Sequence, residues 1–177
     1  MRIVLAGILG GIAMFVWSSV AHLATPLASA GVSVLPDEQV TINAIAASLG
    51  EREGLFLFPT PGTAAATGAK SGPAGFLVYH PHGPYALNPQ NLIVEFVTEV
   101  TESLIAAFLL SMAAIAGYGT RVGFVALVGI VAAITTNVPY WNWYGFPARY
   151  TASYALIEVI AYVVAGLVIA WLVPKRA

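Results

Sequence analysis

The chain has 177 residues, of which 59% are apolar and 8% are charged. Soluble domains carry about 25% charged residues, so this composition excludes a water-soluble globular domain and indicates a membrane protein. Seven basic against eight acidic residues exclude the basic surface that nucleic acid requires, and the absence of cysteine excludes disulfides and thiolate metal sites.

Four apolar runs are each long enough to cross a bilayer, which takes about 20 apolar residues. The sequence predicts transmembrane helices over residues 3–23, 89–118, 122–140 and 151–173. Asn88 and Pro89 are a typical start for the second helix, because asparagine caps a helix and proline suits its first turn. The first run resembles a signal peptide but is too long for one, so we expect a retained helix. The predicted fold is an all-α membrane protein with four transmembrane helices.

Basic residues near the helix ends predict the orientation of the chain. They are Arg2, Arg121, Lys175 and Arg176. All four fall at the same end of the predicted helices, and such positive charge is typical of the cytoplasmic side. We therefore expect both termini in the cytoplasm. The predicted organisation is helix one in residues 1–24, an extracytoplasmic cap in residues 25–88, and helices two to four in residues 89–177.

The segment between the first two membrane helices contains predicted elements of its own. Apolar residues at helical spacing after Asp37 predict a short helix that ends at Gly50. Two apolar runs, residues 55–58 and 76–79, predict a pair of strands. Residues 60–74, rich in proline, glycine and alanine, predict a mobile loop between the strands. We expect a small α+β cap at the outer mouth of the helix bundle.

Counting residues from the predicted membrane boundaries places polar side chains of all four helices at one level of the outer leaflet. They are Ser18, Ser19 and His22 on helix one, Glu95, Thr98, Glu99 and Glu102 on helix two, Thr135, Thr136 and Asn137 on helix three, and Tyr154, Glu158 and Tyr162 on helix four. A charged side chain in the hydrocarbon costs roughly 2.5–3.5 kcal/mol, so these faces should turn inward.

Neighbouring carboxylates inside the bundle would repel one another, so we expect one of them to be protonated or a cation to lie between them. Glu102 and Glu158 should face each other within the bundle. The predicted site for a cation or small ligand consists of Glu99, Glu102, Glu158, His22, Asn137 and Thr98.

Structural roles remain open for the same residues. Glu95 and Glu99 also suit a solvated helix start, where the helix dipole favours negative charge. His22 suits a hydrogen bond at a helix interface, and Asn137 suits a bridge between helices. The aromatic run at residues 140–147 is typical of an interfacial belt, although a ligand-binding aromatic box fits the same residues.

The three histidines are candidate metal ligands. Together with the carboxylates, His22, His80 and His82 offer the nitrogen and oxygen ligands that zinc, copper, iron or manganese accept. The proline between His80 and His82 splays their side chains, and no Glu-x-x-His pair occurs on a predicted helix. A metal cation as cofactor therefore remains open.

Four segments resemble a known family. They are FVWSSVAH at residues 15–22, LPDE at 35–38, GFLVYHP at 75–81 and YWNWYGFP at 140–147. With these segments the chain resembles a family of small, uncharacterised bacterial four-helix inner-membrane proteins. The resemblance implies a multi-pass protein of the bacterial inner membrane and implies no activity.

Three functions fit the sequence. The first is a small membrane protein whose polar layer binds a cation, a proton or a small ligand from the periplasmic side. The second is an accessory subunit of a larger membrane complex, in contact with other membrane proteins or with further copies of itself. The third is an enzyme acting on lipid or quinone head groups, for which no nucleophile–base pair is visible. Helix contacts alone do not require four acidic residues near one level, so the sequence favours the first.

Overall fold

The computed structural model describes residues 1–60, 62, 72–83 and 88–175. Helix predominates in these residues. In chain order the elements are α1 (Arg2–Ala24), α2 (Glu38–Leu49), β1 (Gly54–Phe58), β2 (Gly75–Tyr79), α3 (Pro89–Met112), α4 (Tyr118–Tyr144) and α5 (Ala148–Leu172). The chain divides into two compact units, one of Met1–Gly31 with Leu87–Ala177 and one of Val32–Ala86. Most of the predicted mobile loop at residues 60–74, and the terminal residues 176 and 177, lie outside the described residues.

The four long helices of the first unit form near their predicted positions, with corrected ends. α3 ends at Met112 rather than at residue 118, and α4 continues to Tyr144 through Pro139. An internal proline removes one backbone hydrogen bond, which a long helix packed along its length can tolerate. Gly145 then ends α4 in the left-handed conformation (φ 71°), where glycine carries no steric cost.

Three helices, α1, α4 and α5, are long and apolar enough to cross a membrane, consistent with a multi-pass membrane protein. α3 has sufficient length at 24 residues, but each of its 18-residue stretches contains Glu95, Glu99 and Glu102. Three acidic residues are more charge than a simple apolar span carries. The crossing by a fourth helix and the side on which each terminus lies remain predictions.

The helices of the first unit pack in the order α3, α1, α5, α4. α5 packs along both α4 and α1, and α1 packs along α3, whereas α3 touches α4 and α5 only locally. The apolar core includes Ala6, Met14, Leu110, Val125, Ala165 and Ile169. The Trp17 indole N–H donates to the backbone oxygen of Ile157 at 2.9 Å, which joins α1 to α5.

Two glycines let α1 and α3 approach closely. A Cβ added to Gly7 would lie 2.7 Å from the Cα of Leu104, and one added to Gly11 would lie 2.5 Å from the Cα of Val100. Small residues four apart allow such contact between backbones in membrane helices. The pair therefore acts as a helix-packing motif within this chain.

Arg121 lies in the first turn of α4, not in a connecting loop as the sequence predicts, and its side chain is fully buried. Its guanidinium donates to the backbone oxygens of Ile115 at 3.1 Å, Ala170 at 3.2 Å and Val173 at 2.7 Å. The last two oxygens belong to the carboxyl end of α5, which lacks intrahelical partners and carries partial negative charge. Arg121 therefore caps α5 and fixes it against α4.

The second unit contains the helix and the hairpin that the sequence predicts. β1 pairs antiparallel with β2, from Gly54 opposite Tyr79 to Phe58 opposite Gly75. α2 buries no residue within the unit, and the Arg52 guanidinium donates to backbone oxygens at its carboxyl end.

Candidate functional site

The structure divides the predicted polar layer into two clusters on different faces of α3. The Glu99 cluster consists of Ser18, Glu99 and Ser103, between α1 and α3. The Glu102–Glu158 site consists of Glu102, Glu158, Tyr162, Thr136 and Asn137, where α3, α4 and α5 meet.

In the Glu99 cluster a carboxyl group is buried between two helices. Glu99 is 5% exposed, and its Oε1 accepts a hydrogen bond of 2.5 Å from Ser18 Oγ. Within the described residues, Glu99 Oε2 and the Oγ of the fully buried Ser103 have no hydrogen-bond partner. Burying a polar atom without a partner costs free energy, so these two oxygens destabilise the contact between α1 and α3.

The Glu102–Glu158 site contains two carboxylates and a tyrosine. Glu102 of α3 lies within electrostatic reach of Glu158 and Tyr162 of α5. Both glutamates are half-buried and Tyr162 is buried. The space for Tyr162 depends on Gly129 of α4, where any Cβ would overlap the tyrosine side chain.

Glu158 also accepts hydrogen bonds from α4. Its Oε2 lies 3.0 Å from Thr136 Oγ1 and 3.0 Å from Asn137 Nδ2. Asn137 thus bridges α4 and α5, the structural role that the sequence left open for it beside ligand binding.

No described basic side chain pairs with Glu99, Glu102 or Glu158. The ion pairs in the described part of the chain are His80 with Glu53 and His82 with Glu51, each at 2.7 Å. Burial of a carboxylate without a cationic partner favours the uptake of a proton or a cation.

Two predicted site residues, His22 and Thr98, form no hydrogen bond or ion pair with Glu102 or Glu158 in the described part of the chain. His22 is exposed at the end of α1, with its Nδ1 2.9 Å from the backbone oxygen of Ser18 and its ring 5.7 Å from that of Tyr154. Thr98 is exposed on α3. The structure thus brings together Glu102, Glu158 and Asn137, and places Glu99 in the other cluster.

The candidate metal ligands do not converge in the described residues. No group of three or more histidine, aspartate or glutamate residues there is placed to hold a metal ion. His80 and His82 instead pair with glutamates beside the hairpin.

A pocket of about 230 Å³ lies beside the site and includes Tyr140 and Phe146 of the aromatic run, for which the sequence left a ligand-binding box open. It is lined by Thr136, Asn137, Tyr140, Phe146, Tyr150 and Thr151. We call it the aromatic pocket. Tyr150, Tyr154 and Glu158 recur every four residues on α5, and this spacing was the available signal that they share a face.

Comparison with protein-family models, with curated proteins and with solved structures finds no match to this chain. The structure defines a helical protein with three membrane-capable helices and a carboxylate site that has no basic partner among the described residues.

Proposed function

We propose that this protein is a multi-pass protein of the bacterial inner membrane that binds a cation or a proton at the Glu102–Glu158 site from the periplasmic side. The observation that supports this most is that two half-buried carboxylates, from α3 and α5, lie within electrostatic reach of each other with no basic partner among the described residues. Such a site is electrostatically incomplete until it takes up positive charge.

The proposal treats α3 as a fourth membrane crossing. At 1.5 Å per residue, its 24 residues extend about 36 Å, which exceeds the roughly 30 Å hydrocarbon core. Glu99 accepts a hydrogen bond from Ser18 of α1, and Glu102 lies within electrostatic reach of Tyr162 of α5, so two of the three carboxylates of α3 lie near protein side chains. Glu95 is exposed near the start of the helix, where the headgroup region can solvate it.

Topology is tested by labelling single cysteines, which the native chain lacks. We expect an impermeant thiol reagent added to intact cells to label a cysteine at Ser71 but not one at Ala177, since the basic residues place the terminus in the cytoplasm. Labelling of the Ala177 position in intact cells would contradict the proposed orientation.

Cation binding is tested with a variant that keeps the size of the side chain and removes its charge. We expect one of the chlorides of sodium, potassium, magnesium or calcium, compared at equal ionic strength, to raise the thermal midpoint of the purified wild type. A cation at 100 times its Kd stabilises by about 2.7 kcal/mol, and Glu102→Gln should lose this effect.

Glu38→Gln is the control, because Glu38 is an exposed carboxylate on α2 in the second unit. It should respond to the cation as the wild type does. A cation response of equal size in the wild type and in Glu102→Gln would place the cation elsewhere and contradict the proposal.

A further inference from the structure

We propose that the aromatic pocket binds an organic ammonium group, with Glu158 as its counter-charge. This inference rests on the proposed function, because it names the chemical class of the cation that the carboxylate attracts.

Three aromatic rings meet at steep angles in the pocket. The ring centroids of Tyr140 and Phe146 are 5.4 Å apart with planes at 62°, and those of Phe146 and Tyr150 are 5.2 Å apart with planes at 56°. Tyr154 stacks on Tyr150 at 4.2 Å and supports it. Aromatic faces carry partial negative charge, and cations bind within about 6 Å of a ring centroid. Rings inclined in this way form walls of a pocket that suits a rounded cation.

The carboxylate of Glu158 lies behind the polar side of the pocket. Thr136 and Asn137 line the pocket, and both donate hydrogen bonds to the carboxylate of Glu158. One layer of side chains therefore separates Glu158 from the pocket. Arg149, the basic residue next to Tyr150 in the chain, is exposed and does not line the pocket. The electrostatic field of Glu158 thus favours a cation among the rings.

The size of the pocket restricts the ligand to a small group. Its volume of about 230 Å³ is below the roughly 300–1,000 Å³ that is typical of sites for drug-sized molecules. A methylated ammonium group fits the chemistry because it is weakly hydrated and contacts aromatic faces on several sides. A free organic cation and the head group of a choline lipid present this same group.

The test is calorimetric titration of the purified full chain in a maltoside detergent with tetramethylammonium chloride. We expect saturable binding to the wild type and affinity about tenfold lower in Tyr150→Leu and in Glu158→Gln, since each variant removes one of the attractive groups. Trp143→Leu is the matched aromatic control, because Trp143 is 79% exposed and does not line the pocket. Its affinity should equal that of the wild type.

A second comparison needs no variant. Choline should bind to the wild type, and its uncharged analogue 3,3-dimethyl-1-butanol should not, since only the charge differs. Nanodiscs of two zwitterionic lipids distinguish the two sources of the ligand, because neither lipid gives the surface a net charge. Tetramethylammonium should bind more weakly in phosphatidylcholine than in phosphatidylethanolamine if choline head groups occupy the pocket, and equally if the ligand is a free cation.

Absence of tetramethylammonium binding in detergent, equal affinity in wild type and Tyr150→Leu, or equal binding of the uncharged analogue would overturn the inference. If the metal-cation response that depends on Glu102 persists in that case, the proposed function stands and only the ligand class is wrong. If both responses are absent, cation binding at the Glu102–Glu158 site fails as well, and the proposed function then requires a protonated carboxyl group at neutral pH that Glu102→Gln lacks.

Discussion

Replacing Arg121 by methionine is expected to lower the free energy of unfolding by about 3–5 kcal/mol. The guanidinium is fully buried and donates to three backbone oxygens, two of them at the end of α5. Methionine fills similar space but donates no hydrogen bond, so these oxygens would lose their partners. Each such loss in a buried place costs about 1–3 kcal/mol. Denaturant titration in mild detergent measures the change.

Lys175→Met is the control, because Lys175 is an exposed basic residue near the same end of α5. Its unfolding free energy should stay within about 0.5 kcal/mol of the wild type, as for most surface substitutions. Arg121→Lys should lie between the two, since an ammonium keeps the charge but cannot reach three oxygens in the geometry of a guanidinium. Equal stability of Arg121→Met and Lys175→Met would show that Arg121 does not hold the two helices together.

Replacing Gly11 by leucine is expected to destabilise the protein by about 3 kcal/mol. The new Cβ would lie 2.5 Å from the Cα of Val100, so a backbone and not a flexible side chain would have to move. Separation of α1 from α3 would also break the hydrogen bond between Ser18 and Glu99. Denaturant titration again measures the effect.

Gly123→Leu is the matched control for this substitution. A Cβ at Gly123 meets no atom within 4 Å, so the same change should leave stability within about 0.5 kcal/mol of the wild type. Equal effects of the two substitutions would contradict close packing of α1 on α3.

Local sequence signals predicted where the helices begin and end. They did not predict features that depend on contacts between helices. Asn88 with Pro89 marked the start of α3, and Gly50 marked the end of α2, because capping depends on adjacent residues. The burial of Arg121 depends on the end of α5, about 50 residues further along the chain. The sequence around an arginine at a helix end does not show whether its side chain is exposed to water or buried against another helix.

The sequence grouped Glu99 with Glu102, Glu158 and Asn137, whereas in the structure Glu99 lies in a separate cluster. Counting along the helices indicated that Glu99, Glu102 and Glu158 lie at similar depth. Residues three apart differ by about 60° around a helix, so Glu99 and Glu102 face different neighbours. Which neighbour each meets follows from the order of packing, α1 on one side and α5 on the other. No pattern within a single helix carries that information.

The most direct measurement counts the positive charge at the Glu102–Glu158 site. Infrared spectroscopy of the purified protein at neutral pH detects protonated side-chain carboxyl groups, and atomic emission detects bound metal cations. The wild type should hold one protonated carboxyl group or one metal cation per chain that the folded double variant Glu102→Gln/Glu158→Gln lacks, because two adjacent carboxylates without a basic partner must share positive charge. If the wild type and the double variant hold the same number of protonated carboxyl groups and the same amount of bound metal, the Glu102–Glu158 site does not bind positive charge.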